Sequence, residues 1–154
     1  MAYRAKDIAK YIINYYHEKR IDITNLKLQK LLYYVQGECL ATPSINGVCF
    51  DDEIQAWKHG PVVPSVYFTY NIFMDNPIWL MPSDGIPEID EKYRKVIDGV
   101  LDKYQGYDPW KLVEQTHEES PWKDTYKDDT SYIVIPVEII RSYFRGKRRN
   151  GGYD

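Results

Sequence analysis

Apolar residues recur at helical spacing in stretch after stretch of this chain, and nearly every stretch opens on a capping residue or a proline. Ile8, Tyr11, Ile12, Tyr15 and Tyr16 form one such stripe within 5–19. Thr24 is an N-cap candidate ahead of Leu28, Leu31, Leu32, Val35 and Cys39, and the short link between these two stretches predicts an antiparallel helix pair. Pro64 suits the first turn of a helix carrying Val66, Tyr67, Tyr70 and Phe73. Asp90 precedes Tyr93, Val96, Ile97, Val100, Leu101 and Tyr104, and Asp108-Pro109 opens a helix through Leu112 and Val113. Ser120-Pro121 repeats that cap-then-proline grammar for a shorter segment, and Pro136 begins a last helix over 137–144.

Signals for β-structure are few. The helical period weakens over 48–58, where a short strand or an irregular stretch fits, and His59-Gly60-Pro61 must break whatever precedes it. Residues 76–86 form a Pro- and Gly-punctuated connection with room for a short hairpin or extended edge, and 132–135 (YIVI) is β-rich. The predicted fold is therefore mainly α: a single compact helical domain over 1–145 with at most a small β-hairpin or short sheet. A basic, disordered tail over 146–154 is expected to follow it.

Composition narrows the function classes. The 154 residues, 44% hydrophobic and 28% charged, suffice for one real core without staples. Cys39 and Cys49 form no CxxC pair, so two reduced thiols are expected rather than a zinc or redox motif. The N-terminal stretch is amphipathic and unlike a secretory signal, and no run approaches the ~20 apolar residues of a membrane span. A soluble, cytoplasmic protein is the expectation. Up to residue 140 there are fifteen Lys or Arg against twenty-two Asp or Glu, whereas 141–154 hold five basic residues and one acidic. An acidic body is poorly suited to wrapping DNA, so direct nucleic-acid binding is not expected, and the basic end reads as a solvated helix terminus.

The grammar of catalysis is missing. His117-Glu118-Glu119 sets an imidazole beside two carboxylates, but a zinc-protease helix needs a second His four residues on, and Pro121 stands there. No GxSxG elbow, GxxxxGKS or GxGxxG occurs. No metal or cofactor is expected on this reading, although a metal-dependent hydrolase using His59, His117 and Glu118 is retained as a competing function.

Three segments hold polar or turn residues that a core does not require. In LQKLLYYVQ (28–36), Gln29 and Gln36 fall seven residues apart beside Tyr33 and Tyr34, as either a helix boundary with amphipathic tyrosines or a recognition edge. In AWKHGPVVP (56–64), a glycine and two prolines around two valines make a rigid loop, which suits a surface ordered before it binds and equally suits a helix start. In THEESPW (116–122), His117 lies at a helix end, where the dipole would favour its charge, and Trp122 clamps the junction.

Taken in order, TNLKLQKLLYYVQ, AWKHGPVVPSVY and THEESPW resemble the blocks of the Panacea-type antitoxin domain, the SocA-like and phage-associated GepA-like family, over roughly residues 5–144. The resemblance implies a mostly helical antitoxin, often prophage-borne, that neutralises a cognate toxin encoded nearby by direct protein–protein binding. It equally admits a protease adaptor that presents the bound toxin to a cellular protease. It implies no enzymatic activity, and a homodimer is compatible with it. The partner-contacting residues expected from the match are Tyr33, Gln36, Trp57, His59, Gly60, Pro61, Val62, Pro64, Tyr67, His117 and Trp122. His59 stands where the family more often has an aromatic residue, so no chemistry is assigned to it.

Overall fold

The computed structural model describes residues 2–79, 85–130 and 132–150. Among them the first helix, α1 (Ala5–Glu18), buries Ile8, Ile12 and Tyr16 of the expected stripe together with Ala5, Ala9 and Ile13, while Tyr11 and Tyr15 pack against the core only partly buried. Thr24 caps α2 (Asn25–Ala41), its side-chain oxygen accepting from the Lys27 amide. The structure departs from the stripe reading at α2: fifteen of its seventeen residues are buried, not one face alone. The cause is its surroundings, since α1, α3 (Pro64–Tyr70), α4 (Glu91–Lys103), α5 (Pro109–His117) and α7 (Val137–Arg149) all pack on it. Gly37 lets α7 come this close, because a Cβ there would meet the Phe144 ring at 2.3 Å.

The expected small sheet is present. Strands β1 (Gln55–Trp57), β2 (Gly60–Val62) and β3 (Ile133–Val134) lie in the order β2-β1-β3, antiparallel throughout. His59-Gly60-Pro61 does more than interrupt: Trp57 pairs with Gly60 across a two-residue turn, Lys58-His59, so the segment folds into a hairpin. Pro61 is tolerated in β2 because that strand is an edge of the sheet.

Short α6 (Ser120–Lys123) follows α5 closely, but its cap is Glu119 rather than Ser120. The expected disordered tail from residue 146 is corrected as well, because α7 is helical through Arg149. Its amphipathic pattern keeps Ile140 and Phe144 in the core while basic side chains fill the last turn, where they complement the helix dipole. Residues 151–154, the rest of that segment, lie outside the described residues, as do 80–84 of the 76–86 connection. Cys39 and Cys49 are free and buried. Among the described residues no helix is long and apolar enough to cross a membrane.

Candidate functional site

Polar side chains of α2 reach outward into the other two motif segments and hold them. The Gln29 Oε1 accepts from the Val63 amide at 2.9 Å, and its Nε2 donates to Asn25 Oδ1 at 2.8 Å. Asn25 in turn donates to the Tyr67 carbonyl at 3.1 Å, so one amide relay fixes both the end of the hairpin and α3. Lys30, fully buried, donates from Nζ to the Pro61 carbonyl at 2.9 Å. Burial without a counter-charge pushes the Lys30 ammonium down to about 7. Gly60 sits directly on that lysine, with φ at +110° and an imagined Cβ 2.7 Å from Lys30 Cε and 2.8 Å from Thr116 Oγ1. Only glycine satisfies both the dihedral and the space.

Tyr33 and Tyr34 donate one hydrogen bond each to the two Glu119 oxygens, at 2.8 and 2.9 Å. Gln115 Nε2 donates to the Tyr34 hydroxyl at 2.8 Å and to the Tyr104 hydroxyl at 3.1 Å, extending the network into α5 and α4. The Glu119 carboxylate is therefore turned into the core, which explains why this N-cap residue makes no side-chain cap bond. Burial raises its pKa, an effect opposed by the two tyrosine hydrogen bonds. Gln36 does the same service elsewhere: its Oε1 accepts from the Cys49 and Phe50 amides, and its Nε2 donates to the Phe50 carbonyl at 2.8 Å.

Tyr33 and Gln36, expected among the partner-contacting residues, are thus 0% and 1% exposed and present no surface. Gly60, Pro61 and Val62 are also buried. The physical reason is common to all five: each is pressed against α2 or belongs to it, and α2 is enclosed.

The remaining expected residues gather on the outer side. Trp122 stacks between His117 (centroids 3.9 Å apart) and Tyr126 (4.7 Å), and its Nε1 donates to the Trp57 carbonyl at 2.7 Å. This bond ties α6 to the hairpin. Burial lowers the pKa of His117, so the expected dipole-favoured charge at this helix end is outweighed. The half-buried Trp57 ring meets Tyr67 at 4.9 Å and Tyr132 at 5.2 Å, while exposed His59 meets Trp110 edge-on at 5.0 Å. A groove of about 370 Å³ runs along this side, lined by Trp57, His59, Val62, Tyr67, Met74 and Trp110 among others. Around it Phe68, Met74, Trp110 and Tyr132 are each more than half exposed, an unusual density of bare apolar side chains. Among the described residues no three His, Cys, Asp or Glu side chains are placed to hold a metal, so His59, His117 and Glu118 do not form a ligand set.

Comparison with known proteins meets this geometry directly. The sequence model of the antitoxin SocA-like, Panacea domain family matches residues 28–123, from the buried α2 motif to the α6 clamp. The chain belongs to this family. It is 39% identical over 66 residues to antitoxin SocA of Caulobacter vibrioides (strain NA1000 / CB15N), a match covering 41% of this chain and 32% of that protein. The chain thus matches about a third of the length of this curated relative. No solved structure matches it significantly. The three motif blocks of this Panacea domain are the three pieces that α2 staples together.

Sequence reading missed Lys30, Gln115 and Trp110, and it noted Glu119 without a role. The first, second and fourth look like surface residues in a sequence; only the enclosure of α2 makes Lys30 and Glu119 internal and draws the half-buried Gln115 into their network. Trp110 had a usable signal, a tryptophan just after a Pro at a helix start, off the apolar stripe of Leu112 and Val113.

Proposed function

We propose that this chain is a non-enzymatic antitoxin that neutralises a cognate toxin by binding it directly, with the aromatic face around Trp57, Tyr67 and Trp110 as the contact surface. The observation that carries the reading is the bare aromatic groove, built on a hairpin that is fixed before any partner arrives. Bulky aromatic side chains supply contact area at low entropic cost, and a pre-ordered backbone loses little freedom on docking. The family membership and the antitoxin relative support the same role. Of the residues expected to contact the toxin, Trp57, His59, Pro64, Tyr67, His117 and Trp122 retain some exposure and stay in the proposal. The five buried ones act by holding the surface in shape.

The test is co-expression of this chain with the product of its neighbouring open reading frame, scored by growth and by co-purification. A partner that is toxic alone, harmless together and recovered stoichiometrically supports the reading. A toxic partner whose growth arrest is unchanged by co-expression refutes it. Partner half-life in the same cells separates occlusion from delivery to a protease: an unchanged half-life favours occlusion.

A further inference from the structure

Among the described residues, Arg20, Asn46, Met74 and Tyr132 have a positive φ without being glycine. Two of them have ordinary reasons. Asn46 is a residue type that takes the left-handed region readily. Arg20 follows the end of α1, where its amide donates to the His17 carbonyl and that of Ile21 to the Tyr16 carbonyl, the usual left-handed helix stop. Met74 and Tyr132 have neither reason. Both are bulky, both are more than half exposed, and both belong to the aromatic face: Tyr132 sets its ring 5.2 Å from that of Trp57, and Met74 lines the groove.

Met74 is the sharper case. It follows a single 3-10 turn, Asn71–Phe73, with φ +56° and ψ −126°, and the Asn76 amide donates to the Phe73 carbonyl at 3.0 Å. These are the dihedrals of the first central residue of a type II′ turn, about +60° and −120°, a position dominated by glycine. The turn itself is required, because it returns the chain to bury Ile78, whose amide donates to the Ile23 carbonyl at 2.8 Å. The methionine is not required by the turn. Phe73 packs against the core, whereas Met74 is 75% exposed. A lone exposed apolar side chain is ordinary. One set where glycine would relieve the backbone points to a use outside the chain, since strained backbone gathers where binding holds a side chain in place.

We propose that Met74 is a toxin-contact residue, whose side chain closes the groove over an apolar side chain of the toxin. The inference rests on the antitoxin reading and adds to it a contact and the chemistry of what is held. A thioether is flexible and polarisable and makes favourable contacts with rings, and Trp57, Tyr67 and Trp110 line the groove with it. The charged residues of the lining, Lys58 and Asp75, are of opposite sign. The side chain that fits is therefore aromatic or aliphatic rather than charged.

The experiment uses the full chain and the product of its neighbouring open reading frame. Met74→Gly and Met74→Ala are compared with the parent for urea midpoint and for toxin affinity by calorimetry. Glycine relieves the backbone and removes the side chain, so its midpoint should rise while its affinity falls at least fivefold. Alanine keeps the strained turn and removes only the thioether, so its affinity should fall as far with a midpoint near the parent's. Opposite signs for stability and binding in one variant are the signature of a side chain held for a partner. Parent-like affinity in either variant overturns the proposal. A lower midpoint in Met74→Gly overturns it too, because the side chain would then serve the fold. If the parent binds the toxin and Trp110→Ala weakens binding while both Met74 variants do not, this inference fails alone. If the parent binds no toxin, the antitoxin reading fails and takes this inference with it.

Discussion

Lys30 is an ammonium buried from water, with the Pro61 carbonyl as its hydrogen-bond acceptor and no counter-charge beside it. The sign of its pH dependence follows from its depressed pKa of about 7. Between about pH 7 and pH 10 the unfolded chain holds this proton more tightly than the folded one, so stability rises with pH over that window, by at most about 1.4 kcal/mol per unit. Below pH 7 the penalty is present in full. Lys30→Met removes the group, so the difference in urea midpoint between parent and variant should move in the parent's favour as pH is raised from 6 to 9.5. A difference that stays constant would place the proton elsewhere. Glu119 runs the other way: its raised folded pKa makes stability fall as pH climbs from about 4.3 toward that value. Glu119→Ala leaves the Tyr33 and Tyr34 hydroxyls buried without acceptors, and a loss of roughly 2–5 kcal/mol should appear in denaturation. At this scale the sequence shows which letters are present and hides their environment. Lys30 and Glu119 look like surface residues because their neighbours in the chain say nothing about what covers them.

Among the elements, helix starts were the most legible feature. Thr24, Pro64, Asp90 and Asp108 each begin a helix as expected: Thr24 and Asp108 accept from amides of their own first turn, Pro64 fits the first helical position, and Asp90 stands at the N-cap without a side-chain cap bond. Ser120 failed as a cap because Glu119, one residue earlier, is drawn into the tyrosine network. The end of α7 failed for a related reason: Gly146 and the basic run looked like fraying, yet Ile140 and Phe144 anchor the helix on α2 and it continues to Arg149. The α2–α7 contact gives the sharpest test of packing. Gly37→Ala should destabilise by about 1–3 kcal/mol, since its methyl would overlap the Phe144 ring, which is itself buried in the core. Phe144→Leu in the same chain should recover part of that loss, and strictly additive effects in the double-mutant cycle would contradict the steric account.

For the whole molecule, the division of labour between inside and outside is the functional point. The Panacea motif residues on α2 bind the hairpin, α3 and α6 from within, and the aromatic face is carried on what they hold. Trp110→Ala should therefore leave the urea midpoint within about 0.5 kcal/mol, because the ring is 53% exposed. Toxin affinity should drop by at least tenfold if this ring is an interface anchor. Gln29→Ala should act in the opposite order, loosening the hairpin first and weakening binding only through it. Hydrogen exchange at the Val63 amide, which Gln29 accepts from, reads that loosening.

Local physics was decided by the chain alone: where most helices begin, that β-structure would amount to a small sheet at most, and that the ordered motif trio resembles a Panacea domain. Those outcomes depend on interactions between residues a few positions apart, or on letters that can be matched directly. Tertiary structure decided which polar residues are inside. Gln29, Lys30, Tyr33, Gln36 and Glu119 became internal staples because five helices and the hairpin enclose α2, and that enclosure sets Tyr33 against Glu119, 86 positions away in the chain. It also took Tyr33, Gln36, Gly60, Pro61 and Val62 out of the candidate contact surface, which keeps Trp57 and Tyr67 and gains Trp110.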